Sequence, residues 1–327
     1  MKYNLVFSVG DCSNLKYYIP MIQHARKKNL TYAFDIKLGW NKWCSVSVKE
    51  NYLWTTELME DANIPLFEKG KDTADVRVCN EGRWNPDVKE KNTVIYSLTS
   101  LTDWTYSYFK YIDSIDYCVF PSRYFTDFIK DESQIILGTG GEATRAVVKK
   151  TDESVMKNQH KNLYLGSPKY DCEITFDKDR ILKKYNIPDD KYALFMYPRH
   201  YEVHKTNYKP VLEKLKSEGY KIIAKTRPKD PFKNVSSESG VLIDHYLYNP
   251  GFWPHPTLEL MKISDVIVNT DSSAVKEAVM LNKKVVNVKS KTYPVLEALY
   301  EEGAREKYLW THNACDKILE HMQQYFN

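Results

Sequence analysis

The stretch from residue 262 to residue 288 leaves a folding chain little choice. Val266, Ile267 and Val268 form a short apolar run of the buried-strand kind. Thr270, Asp271, Ser272 and Ser273 follow as a polar turn able to cap a helix start. Residues 274–281 carry helix formers at apolar helical spacing, Asn282, Lys283 and Lys284 end it, and residues 285–288 make a second strand-type run. Strand, loop, helix and strand in this order form a parallel crossover, and its loop presents unbonded backbone N–H groups at a helix start. Such a point attracts phosphate, and it lies where the strands of an open α/β sheet end, the place where such sheets bind ligands. An ordinary crossover with a well-capped helix satisfies the same pattern.

The rest of the chain repeats this alternation. Residues 4–9 are a strand of the buried kind, Gly10 and Asp11 open a turn, and residues 15–28 place Leu15, Tyr18, Ile19, Ile22 and Ala25 at helical spacing. Strand patterns recur over 30–36, 75–79, 92–98 and 114–122. After a helix over 177–185 the series restarts: strand 192–197, helix 208–218 closed by Gly219, strands 221–225 and 241–244, and helix 257–264. Helices are also expected over 52–63, 105–112, 124–130, 293–302 and 314–326. At 327 residues the chain is long enough for two domains. The expected organisation is α/β with two Rossmann-like domains facing across a cleft. One covers 1–160 and the other 161–310, with 311–327 crossing back to the first.

Charge and cysteine usage narrow the function class. A net charge of +4, evenly spread, suits an anionic small substrate and gives no basic stripe for nucleic acid. The six cysteines include no CxxC pair, so no zinc site is expected, and Cys79 and Cys118 lie in strand-like runs as buried thiols. His200 and His204 stand four apart but lack a Glu-x-x-His helix context, so no metal is expected there either. No apolar run is long enough for a membrane span, and the apolar stretch near Met1 is too short for a signal peptide. A cytoplasmic location is the expectation.

Chemistry-bearing residues cluster after strands. Asp11 follows the first strand pattern, Glu81 the one at 75–79, and Asp103 the one at 92–98. Each can accept a proton, and ordinary solvated loops carry the same residues. Arg199 follows strand 192–197, with His200, His204 and Lys205 beyond it, and Arg227 follows strand 221–225. A guanidinium holds phosphate in a two-pronged contact, which makes Arg199 the strongest electrostatic candidate. Residues 138–141, Gly-Thr-Gly-Gly, allow close backbone approach to a ligand, but without a following Lys-Ser/Thr they are not a P-loop.

The residue pattern Ser264-Asp-Val-Ile-Val268, Asp271-Ser-Ser-Ala274, Glu277-Ala278 and Lys284-Val-Val286 resembles the nucleotide-binding segment of GT-B glycosyltransferases. It is most similar to the CDP-glycerol glycerophosphotransferases and the UDP-N-acetylglucosamine 2-epimerases. Gly166, Pro168 and Asp171 match the Gly-x-Pro-x-x-Asp signature that closes the first domain in those proteins. The resemblance implies a nucleotide-diphosphate sugar as donor, with Asp271, Ser272 and Ser273 at the diphosphate and Glu277 on the ribose hydroxyls. It implies phosphate contacts from Arg199 and Arg227, and a base stacked near Phe252 or Trp253, although such aromatics also serve as core. The acceptor would be a glycan or a polyol phosphate, with no separate cofactor and no metal. Two departures stand out: no histidine follows strand 92–98, and Arg227 replaces the histidine of Lys-x-His-Pro. Arg227 cannot shuttle a proton, so Asp103 becomes the first choice of base, with Asp11 and Glu81 behind it. Glycerophosphate transfer, nucleotide-sugar epimerisation or hydrolysis, and non-catalytic nucleotide-sugar binding remain as alternatives to glycosyl transfer.

Overall fold

The structure, a computed structural model, describes residues 1–9, 14–36, 64–80, 92–98, 112–122, 157–171, 177–198, 207–226, 242–247, 256–270, 274–288, 303 and 313–326. The chain divides into two compact units. Unit 1 is Met1–Lys42, Ser47–Glu173 and Lys307–Asn327, and unit 2 is Trp43–Val46 and Ile174–Glu306. The helices expected over 52–63, 105–112, 124–130 and 293–302, and the Gly-Thr-Gly-Gly stretch, fall wholly or almost wholly outside the described residues.

Among the described residues, unit 1 is built on six parallel strands: β1 Lys2–Val9, β2 Tyr32–Ile36, β3 Thr73–Asn80, β4 Val94–Leu98, β5 Tyr117–Val119 and β6 Asn162–Leu163. Their order is β2-β1-β3-β4-β5-β6. The helix α1, Leu15–Lys27, carries the chain from β1 to β2 and buries Tyr18, Met21, Ile22 and Ala25. Continuous apolar runs make these strands because both faces of a parallel sheet are covered. A fully buried charge lies among them. Arg77 on β3 is 1% exposed, ion-paired with Asp35 on β2 and 3.0 Å from Ser8 Oγ on β1, with its guanidinium 5.2 Å from the Phe67 ring centroid. One side chain thereby links three neighbouring strands.

The last helix, α6 (Ala314–Gln323), belongs to unit 1. Its first turn is held by the Gly-x-Pro-x-x-Asp segment. Pro168–Tyr170 forms a 3-10 turn, and Asp171 Oδ2 accepts a hydrogen bond from Cys315 N–H at 2.6 Å. At the end of α1, His24 Nδ1 and Nζ of the capping residue Lys28 lie 3.2 and 3.5 Å from Asp316 Oδ1. Further along, the Tyr96 hydroxyl of β4 and His321 Nδ1 share a hydrogen bond at 2.7 Å, Tyr117 and Tyr325 share another, and the four rings pack together. Burial raises the Tyr325 phenol to about 12, and it holds the His321 imidazole below the usual histidine range.

This cluster is expected to make unit 1 acid-sensitive. An unfolded chain takes up a proton at His321 near pH ~6.5 that the folded chain takes only at lower pH. Stability from this group is therefore complete above that value and is lost as pH falls through the folded pKa. Melting temperature is expected to drop between pH 7 and pH 5, a window above most carboxylate titrations. His321→Gln, which keeps a hydrogen-bonding group for Tyr96 and cannot titrate, is expected to show a smaller drop. Equal drops in the two proteins would assign the acid sensitivity to other groups.

Among the described residues, unit 2 holds five parallel strands: β7 Tyr192–Met196, β8 Lys221–Lys225, β9 His245–Leu247, β10 Val266–Asn269 and β11 Lys284–Asn287. Its helices are α2 Lys178–Tyr185, α3 Lys209–Ser217, α4 Pro256–Ile263 and α5 Val275–Met280. The strand order is β11-β10-β7-β8-β9. Alternate strand residues supply two cores. Leu194, Met196, Ile223 and Ile267 pack with Ile181 of α2 and Leu260 and Met261 of α4. Ala193, Phe195, Ile222 and Val268 pack with Leu212 and Leu215 of α3. Helices on both faces make the unit doubly wound.

One strand lies later than its apolar pattern suggests. Residues 241–244 were expected to form the third strand of this sheet, but pairing begins at Ile223–His245. Asp244 explains the shift: its carboxylate accepts from Ile222 N–H at 2.7 Å and from Lys216 Nζ at 3.1 Å. Its side chain thus occupies the place a backbone carbonyl would take. Among the described residues no helix is long and apolar enough to cross a membrane, and Cys79 and Cys118 are buried thiols.

Candidate functional site

The sheet of unit 2 starts at its centre. From β7 the chain moves out through β8 to β9, then crosses to the far side of β7 for β10 and β11. This order sets a topological switch point between β7 and β10, where connections leave in opposite directions and a crevice forms beyond the carboxyl ends of the strands.

Three adjacent strands lead into the residues singled out in the sequence. Arg199 follows β7, Arg227 follows β8, and Asp271, Ser272 and Ser273 follow β10; these five residues lie outside the described residues, as does Phe252. The strand ends that launch them are polar and buried. Thr270 Oγ1 donates to Met196 O at 2.6 Å and ties β10 to β7 across the switch point. It makes this bond instead of capping α5, which starts from Ala274 without a side-chain cap. Tyr197 N–H donates to Lys225 O at 3.0 Å, continuing the β7–β8 ladder past the end of β7. With strands about 4.8 Å apart, the three loops leave from one narrow edge.

Glu277 lies within α5 and is 3% exposed, between buried Lys276 and Ala278. A carboxylate has lone pairs enough to accept two hydroxyls at once, which is what a ribose diol presents. Two further residues stand at this edge. Lys225 and Thr226 end β8 and are both buried; Lys225 Nζ donates to Thr226 O at 3.0 Å. The Thr226 hydroxyl has no hydrogen-bond partner among the described residues. The available signal was a lysine and a threonine closing a strand whose Ile222, Ile223 and Ala224 are wholly buried.

In unit 1 the strands before the candidate bases are also neighbours. β1, β3 and β4 lie side by side, and Asp11, Glu81 and Asp103 follow their carboxyl ends. All three residues are outside the described residues. Among the described residues no group of three or more His, Cys, Asp or Glu side chains could hold a metal ion; His200 and His204 lie outside them.

No family model and no curated protein sequence matches the chain. Solved structures do. The wall teichoic acid polymerase TagF shares 12% identity at a TM-score of 0.60, over 99% of this chain and 90% of that one. MnaA of S. aureus, in a co-structure with UDP, shares 13% at 0.55, over 99% and 96%. The UDP-GlcNAc 2-epimerase of Neisseria meningitidis, bound to UDP-GlcNAc, shares 12% at 0.51, over 99% and 100%. The fold is GT-B-like. It agrees with the resemblance carried by residues 264–286, and at this identity the likeness describes the arrangement of elements alone.

Proposed function

We propose that the chain is a glycosyltransferase that moves a sugar from a nucleotide-diphosphate donor to a glycan or related acceptor without a metal. The observation that carries this reading is the convergence at unit 2's switch point. Arg199, Arg227 and the Asp271–Ser273 turn follow the ends of three adjacent strands, and buried Lys225 and Thr226 stand at the same edge. Departure of a nucleoside diphosphate builds negative charge on its oxygens. Guanidinium groups, hydroxyls and backbone N–H donors stabilise that charge. Glu277 takes the ribose hydroxyls, and Asp103 removes the proton of the acceptor hydroxyl as the new bond forms. The solved structures bound to UDP and to UDP-GlcNAc support a nucleotide sugar as the donor.

Binding and chemistry separate in the test. Titration with UDP-, GDP-, CDP- and TDP-linked sugars is expected to find one base that binds. Combining Ser272→Ala and Ser273→Ala with Glu277→Ala is expected to weaken it about a hundredfold, by loss of charge-assisted hydrogen bonds. Unchanged affinity in a variant that still melts cooperatively would end the nucleotide-site reading. A second reading, epimerase or hydrolase, is favoured by the fold shared with the UDP-GlcNAc 2-epimerases. It predicts turnover of the donor with no acceptor present, whereas a transferase needs the acceptor.

A further inference from the structure

The last row of unit 1's sheet holds one residue whose side-chain oxygen finds no partner among the described residues. Strands β2, β1, β3, β4 and β5 end on Ile36, Val9, Asn80, Leu98 and Val119. Val9 lies beside Ile36, Asn80 beside Leu98, and Leu98 beside Val119. The Phe7–Val78 pair, continued by two residues, sets Val9 beside Asn80. Side-by-side residues of a parallel sheet point to one face, so these five form a single row. Four are apolar, and Asn80 stands in the middle.

Asn80 is 4% exposed, and its side-chain oxygen has no hydrogen-bond partner among the described residues. Buried amide oxygens are nearly always paired, and an unpaired one destabilises a fold that valine or leucine would suit better at this position. Its place in the sheet adds to the argument. With β2 on one side of β1 and β3 on the other, unit 1 has its switch point between β1 and β3, and Asn80 is the last residue of β3.

We propose that Asn80 binds ligand: its Oδ1 accepts a hydrogen bond from a hydroxyl of a neutral sugar or polyol moiety at the carboxyl edge of unit 1. The chemistry selects this class. An amide oxygen only accepts, and so do the oxygens of a phosphate diester, whereas a hydroxyl donates. The hydroxyl belongs either to the acceptor or to the sugar of the donor, an assignment that rests on the transferase reading above. Asn80 is a positioning residue for whichever partner carries it.

Asn80→Leu completes the apolar row, and Asn80→Asp keeps an acceptor oxygen. Without ligand, Asn80→Leu is expected to melt at or above the wild-type temperature; a fall of several degrees would make the amide structural and overturn the proposal. UDP and CDP are expected to bind Asn80→Leu and wild type alike. UDP-GlcNAc or CDP-glycerol then binds Asn80→Leu about tenfold more weakly if the hydroxyl is the donor's. If it is the acceptor's, those donors bind equally well. In that case kcat/KM for glycerol or N-acetylglucosamine as acceptor falls about tenfold, and Asn80→Asp recovers most of it. Wild-type behaviour of Asn80→Leu in both arms overturns the proposal. Failure of the nucleotide reading shows separately, as absence of UDP and CDP binding to wild type. Saturation-transfer NMR with glycerol and N-acetylglucosamine then reads Asn80 alone: signal with wild type and none with Asn80→Leu is expected, and equal signals, or none with either, refute it.

Discussion

Asp35→Ala is expected to destabilise unit 1 by about 3–5 kcal/mol, the usual result of breaking a buried ion pair from one side. The matching change, Arg77→Met, is expected to cost less. The reason is which charge stays behind. Arg77 is 1% exposed and set in the middle of the sheet, whereas the Asp35 side chain retains 15% exposure at the end of β2. Removing Asp35 takes a full negative charge away from a guanidinium that water cannot reach. Removing Arg77 leaves a carboxylate that solvent still touches, and methionine fills much of the vacated volume with apolar atoms. Urea unfolding, read by amide exchange in β1, β2 and β3, measures both costs within the same unit. Arg77→Met proving the more damaging of the two would show that packing, not charge, dominates at this residue.

The same ion pair marks the limit of what the sequence discloses. The alternation of strands and helices is a local signal, and it located β1, β8, β10 and α1 nearly to the residue because runs such as 221–225 have a single reading. Arg77 looks locally like any charged residue in a strand, and its partner lies far back along the chain. The oddity of Asn80 likewise exists only after folding, when Val9 and Leu98 arrive on either side of it. β9 was misplaced for a related reason: the side chain of Asp244 bonds to the neighbouring strand in a way that no period reveals. Glu277 stands out in the sequence because its spacing from Ser272 and Ser273 is itself a motif. Thr226 does not, since a buried hydroxyl without a partner is a property of its surroundings.

Asp103→Asn is expected to reduce transfer to acceptor by roughly a hundred- to ten-thousand-fold while leaving nucleotide-sugar affinity within about twofold, as removal of a general base does. The separation of the two effects follows from the proposed division of labour, with donor contacts in unit 2 and the base in unit 1. Asparagine keeps the size and polarity of the aspartate and gives up only its capacity to take a proton. Asp11 and Glu81 follow β1 and β3, the strands next to β4, and so are natural controls. Asp11→Asn and Glu81→Gln are expected to change turnover far less. Steady-state kcat for the acceptor reaction, set beside a calorimetric Kd for the donor, reads chemistry and binding independently. A carboxylate base also imposes an acid limb on the rate profile, and that limb is expected to vanish in Asp103→Asn while persisting in the two controls. Turnover unchanged in Asp103→Asn would pass the role to whichever control loses the limb. If none of the three loses it, the proton leaves by a route that uses no carboxylate after β1, β3 or β4, and the epimerase or binding-module readings gain accordingly.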